Sequence, residues 1–234
     1  MSDPKSTVPV STVLVEVTIS APVDTVWKAV RDPEQIAQWF GWAADSLTDE
    51  IAMIFGNPDV VDDAGHKLKF GEWEGIADGF ELIEVEGKTL LRVVRFGALP
   101  SDWDDVYSDV REGWVTFAHQ LRLWVERHHG ETRRTVYLVG PTEEPLATKL
   151  GLSSEGTVEL PTGSVEVRPW HRSGFQLGLR IPAWGDGLLI AMDMPADDER
   201  PQRASLVLTT FGMADEDAVA FAQQWNDWWA ARGH

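Results

Sequence analysis

The feature that most restricts the fold of this chain is an amphipathic helix pattern that occurs twice. Phe117-Ala118-His119-Gln120-Leu121-Arg122-Leu123-Trp124 can be laid over Phe221-Ala222-Gln223-Gln224-Trp225-Asn226-Asp227-Trp228, with Phe, Ala, Gln and Trp at matched places. The first helix puts Trp114, Phe117, Ala118, Leu121, Val125 and His128 on one face. The second does the same with Ala218, Phe221, Ala222, Trp225 and Trp229. Each follows a strand pattern ending in Phe-Gly, Arg95-Phe96-Gly97 and Thr210-Phe211-Gly212, and the turn prolines Pro22 and Pro141 form a third matched pair. Three anchors in the same order predict an internal duplication, with the second copy shortened before its last helix. The 234 residues suffice for two units of roughly 100–130 residues each. The expected division is a flexible polar lead over 1–11, a first domain over 12–130 and a second, simplified unit over 131–234.

Local patterns fill in the elements. Val13, Val15, Val17 and Ile19 alternate as a strand. Ala21-Pro22-Val23-Asp24 opens a helix with the stripe Val23, Val26, Trp27 and Val30. Asp32-Pro33-Glu34-Gln35 is a second start signal, for a short helix carrying Ile36, Trp39 and Phe40. Strands are expected near 49–55, 66–74, 78–86 and 88–96, with a hairpin turn at Glu86-Gly87-Lys88. Loops are expected over 57–65 and 99–109, then a long helix over 111–128 ended by Gly130. In the second half, strands are expected near 135–139, 156–160, 164–169, 174–181, 187–194 and 204–211, before a helix over about 214–232.

Composition excludes several functions. There are 38 acidic and 20 basic residues, a net charge of −18, and both halves share the acidity. Such a surface repels phosphate backbones, which argues against nucleic-acid partners and anionic membranes. With no cysteine, disulfides, thiolate catalysis and Cys-ligated zinc are ruled out. No apolar run reaches the ~20 residues a bilayer requires. No basic segment near the N-terminus leads into an apolar one, so a cytoplasmic protein is expected. His66, His119, His128, His129, His171 and His234 show no metal-ligand spacing, and neither a metal nor a cofactor is expected. Glu72, Glu74, Glu81 and Glu84 read as a solvated sheet face.

Val15 to Trp42, VEVTISAPVDTVWKAVRDPEQIAQWFGW, resembles the opening of the SRPBCC (START-like) superfamily. It is most similar to the branch named for the activator of the heat-shock-90 chaperone ATPase. Gly113-Trp114, within EGWVTFAHQLRLWVE, matches the start of that branch's closing helix. The resemblance implies an α+β helix-grip fold, in which a curved antiparallel sheet wraps a long C-terminal helix. The repeat extends that fold to a second copy. It also implies a ligand cavity between sheet and helix.

The aromatic residues are the candidates to line such a cavity, because aromatic walls hold apolar or ring-containing molecules by area and stacking. In the first unit they are Trp39, Phe40, Trp42, Trp73, Phe80, Trp114 and Phe117, with Leu121. In the second they are Trp170, Phe175, Trp184, Phe221, Trp225 and Trp229. Arg92 and Arg95 lie on opposite faces of one strand, so one of them points inward and could hold an anionic group. Arg168, Arg180, Asp193 and His171 are the corresponding polar candidates in the second half. The first expectation is a binding protein for a small hydrophobic molecule, with no catalytic residue. The alternatives are a cyclase- or hydrolase-type enzyme using an inward Arg, Asp or His, and a chaperone-interacting protein. Monomer and homodimer both stay open.

Overall fold

The computed structural model describes residues 11–72, 76–97, 104–196 and 201–231. Residues 1–10 of the expected flexible lead lie outside them. The chain forms two compact units, one of Met1–Ala37 and Thr48–Arg127, the other of Gln38–Leu47 and His128–His234. The ten residues 38–47 therefore belong with the second unit, although in sequence they interrupt the first.

In the first unit, β1 (Ser11–Ile19) is followed by α1 (Val23–Ala29), α2 (Pro33–Ile36) and α3 (Leu47–Phe55). Next come β2 (Val60–Asp62), β3 (Lys67–Lys69), β4 (Ala77–Val85), β5 (Lys88–Phe96) and the long α4 (Asp104–Arg127). The antiparallel sheet has the order β1-β5-β4-β3-β2. Alternation sets its buried face: Val15, Val17 and Ile19 of β1, Leu91 and Val93 of β5, and Phe80 and Leu82 of β4. The β4–β5 turn is Glu86-Gly87, with φ of 51° and 74°. Two positive φ angles make a tight hairpin whose twist suits the strands, and Gly87 adopts its angle without a Cβ penalty. Asp32 caps α2 by accepting from the backbone N–H of Glu34 at 3.1 Å, with Pro33 in the first turn.

The second unit repeats this plan. β6 (Arg133–Pro141) and the single-turn α5 (Leu146–Lys149) precede β7 (Gly156–Leu160), β8 (Gly163–Arg172) and β9 (Gln176–Ile181). After a 3-10 turn at Pro182–Trp184 come β10 (Gly187–Met194), β11 (Arg203–Phe211) and α6 (Asp215–Ala231). The sheet order is β6-β11-β10-β9-β8-β7. In both units the first strand pairs with the last and the others follow in reverse. β5 and β11 are matched residue for residue, each closing on Phe-Gly with positive φ at the glycine (98° at Gly97, 63° at Gly212). The duplication is thus present in topology. The proline equivalent to Pro22 is Pro145, each standing just before a helix, whereas Pro141 is the last residue of β6.

Five expectations require correction. Residues 47–55 are helical: Ile51 and Phe55 are buried one turn apart, a stripe that β-branched and aromatic residues disguise as a strand. Residues 60–62 form an edge strand, because Asp62 accepts from the Gly65 N–H at 2.9 Å and turns the chain back onto β3. The strand expected over 66–74 is confined to 67–69. Finally, α2 ends at Ile36, so Trp39 and Phe40 lie beyond the helix assigned to them, and α4 begins at Asp104, within the expected 99–109 loop.

Candidate ligand-binding site

Strand β6 puts Arg134, Val136 and Leu138 on one face, where they pair with Thr210, Leu208 and Leu206 of β11. Leu138, Leu206 and Leu208 share a buried core with Phe221 and Trp225 of α6, which identifies this as the helix-side face. On α6, Ala218, Phe221 and Ala222 stand at helical spacing toward the sheet. Between them lies a cleft of about 550 Å³, whose apolar wall is Val136, Leu208, Ala218, Phe221 and Ala222. That volume falls in the ~300–1,000 Å³ range of small-molecule sites. The helix position equivalent to Ala218 in the first unit is Trp114, whose indole is buried among Phe70, Phe80 and Phe117. In the second unit Ala218 instead borders the cleft with a small side chain.

Part of the lining is polar. Arg134 donates through Nε to the Met213 carbonyl at 3.3 Å and through an Nη to the Asp215 carboxylate. Both side chains are exposed, 45% and 90%. Thr210, buried beside Arg134, also lines the cleft.

Of the aromatic residues expected in the second unit, Trp184, Phe221 and Trp225 come together. The Trp184 ring lies edge-on to Phe221 at 5.0 Å and to Trp225 at 6.1 Å. Trp228 continues the cluster from Trp225 at 5.7 Å, and Trp229 follows at 6.2 Å. The Trp225 indole N–H is buried with no acceptor among the described residues. Trp170 and Phe175 stand outside this core. Trp170 sits at a register shift of β8 with the Arg180 guanidinium 5.9 Å from its ring, and Phe175 lies in the β8–β9 loop.

In the first unit, Phe80, Trp114 and Phe117 meet, joined by Phe70 and Phe55, which the sequence reading missed. Leu121 is fully buried. Trp73 lies outside the described residues. Arg95 is the inward arginine. It grips Asp78 with two bonds, 2.7 and 2.8 Å, and the Trp114 indole donates to the same carboxylate at 2.9 Å. This sheet-to-helix brace fixes the α4 aromatic face. Arg92 lies on the other face, bonded to Glu16 across the strand pair at 2.7 Å.

Trp39, Phe40 and Trp42, expected in the first cavity, group instead with the second unit. Trp42 stacks on Tyr137 at 3.6 Å, and the Ala43 N–H donates to the Thr135 hydroxyl at 2.5 Å. Gln38 accepts from the Arg133 N–H at 3.0 Å, and the Arg133 guanidinium donates to the Phe40 carbonyl. Arg133 is buried, and desolvation lowers its pKa well below the usual arginine range, to about 9. The strap thus lies against Arg133, Thr135 and Tyr137 of β6, and Ala43, Arg133 and Thr135 also border the cleft.

The other polar candidates are held by local structure. Asp193 accepts from the Leu146 N–H at 2.8 Å and so caps α5 from β10. Burial raises its pKa, opposed by backbone N–H donors of Leu146 and Ala147. His171 contacts Gln176 at 3.3 Å, Arg168 pairs with Glu166, and Arg180 pairs with Asp186. Among the described residues, no group of three or more His, Asp or Glu could hold a metal ion. No described helix is long and apolar enough to cross a membrane.

No protein-family model and no curated protein matches the sequence. Among solved structures, DynU16, from the dynemicin biosynthetic locus, is similar over 93% of this chain and 94% of its own (20% identity, TM-score 0.37). The di-domain ARO/CYC StfQ of the steffimycin biosynthetic pathway is similar over 94% of each chain (10% identity, TM-score 0.33). The Aha1 dimer from Colwellia psychrerythraea covers 52% of this chain with 99% of its own (16% identity, TM-score 0.38). By its own element order, sheet topology and paired long helices, the chain is a tandem of two α+β units, each an antiparallel sheet followed by a long C-terminal helix.

Proposed function

We propose that this protein binds a small hydrophobic molecule in the second unit, in the cleft between α6 and the β6–β11 edge. The supporting observation is the cleft of about 550 Å³ between the sheet and α6, in which Val136 and Leu208 face Phe221 and the small residues Ala218 and Ala222. Burying apolar ligand surface there contributes on the order of 25 cal/mol per Å² before the costs of association. The aromatic core behind Phe221 gives the wall rigidity rather than an opening. The reading assigns no chemistry to the cleft, since Arg95 and Asp193 are committed to bracing and capping bonds.

The test is titration with N-phenylnaphthylamine, an uncharged dye that brightens in apolar surroundings. The intact chain is expected to show a saturable rise. Ala218→Trp, which copies the first unit's residue, is expected to abolish it while keeping the native circular dichroism. An equal rise in that variant refutes the cleft as the site.

A further inference from the structure

We infer that the cleft of the second unit selects an amphiphile with one anionic group, held by Arg134. This rests on the cleft being the binding site. Its lining is mixed: Val136, Leu208, Phe221 and the two α6 alanines are apolar, and Arg134, paired with Thr210 across β6–β11, belongs with Arg133, Thr135 and Asp215 to the polar part. Arg134 comes from the helix-side face of β6, so its guanidinium is presented to the same space as the apolar wall.

The structure already shows Arg134 engaging a carboxylate at this place, that of Asp215. With both side chains exposed, the pair is of the weak surface kind. A ligand anion whose apolar body is buried against Phe221 and Leu208 brings burial that Asp215 does not, and so exchanges with it at Arg134. The guanidinium fork has five N–H donors and suits a planar or tetrahedral oxyanion. Its bonds to Met213 and Asp215 leave donor capacity for a ligand. The net charge of −18 disfavours polyanions at long range but is screened over ~8 Å at physiological salt. A monoanion with a substantial apolar body is therefore the matching class.

The experiment compares two dyes with the same ring system, anilinonaphthalene sulfonate and the uncharged N-phenylnaphthylamine, on the intact chain. The sulfonate is expected to bind at least roughly fivefold more tightly, the scale of a charge-assisted hydrogen bond. Arg134→Gln is expected to remove that preference and leave the neutral dye's affinity unchanged. Asp215→Asn removes the competing carboxylate and is expected to tighten only the sulfonate, which a merely structural role for Arg134 does not produce. Equal binding of the two dyes, or a preference that survives Arg134→Gln, overturns the anion site and leaves the apolar cleft standing. Binding of neither dye overturns both readings.

Discussion

At the scale of single residues, buried charge is used in two ways. Asp78 and Arg95 are nearly dry, 11% and 5% exposed, and satisfy each other bidentately. Removing one partner leaves an uncompensated charge, whereas replacing both by apolar groups of similar volume is often neutral. Asp78→Ala is therefore expected to cost about 3–5 kcal/mol, and Asp78→Leu with Arg95→Met much less, as read from urea midpoints. Sequence alternation predicts that one of Arg92 and Arg95 points inward; the register of the two-residue hairpin, which sets Asp78 opposite Arg95, supplies its partner. Arg133 is the second case and had no sequence signal, because an arginine opening a strand gives no sign of burial. Its folded pKa of about 9 lies well below that of an exposed arginine. Between those values the unfolded chain holds more protons than the folded one, so this residue makes stability rise with pH there. The difference between wild type and Arg133→Gln, followed by denaturation from pH 8 upward, is expected to contain that rise; an identical pH dependence in both contradicts it.

At the scale of elements, the long helices and paired strands were readable because their periodicities are strong and their ends are punctuated. The failures fall on short elements whose identity is set by packing. Residues 47–55 carry the residues of a strand and the spacing of a helix, and burial of Ile51 and Phe55 decides in favour of helix. α5 is one turn long and has no side-chain cap of its own; its cap comes from Asp193, 47 positions away. Sequence reasoning singled out Asp193 as an inward polar group, while its actual partner is the backbone of α5. Asp193→Ala is expected to destabilise by about 1 kcal/mol, within the ~0.5–2 kcal/mol of lost caps. The denaturation midpoint falls with an unchanged slope, and Asp193→Asn, which still accepts, retains most of the stability.

At the scale of the whole molecule, the chain is one plan written twice with different consequences. The matched strands and helices make the copies comparable position by position. Trp114 and Ala218 occupy equivalent turns of α4 and α6: Trp114 is buried in an aromatic cluster, and Ala218 lines the cleft. The sequence reading pooled aromatic residues as cavity walls. In the second unit most of those rings are core, and the cleft is made by the small residues Ala218 and Ala222 with Val136 and Leu208. The strap over 38–47 was not legible, because its contacts are with Arg133, Thr135 and Tyr137, some 90 residues on.

The most direct test of the single-cleft account is native mass spectrometry of the intact chain with a modest excess of N-phenylnaphthylamine, beside Ala218→Trp under the same conditions. The account predicts one bound dye per chain, released on denaturation, and none on the variant. Two equivalents per chain, or one that persists in Ala218→Trp, would contradict it.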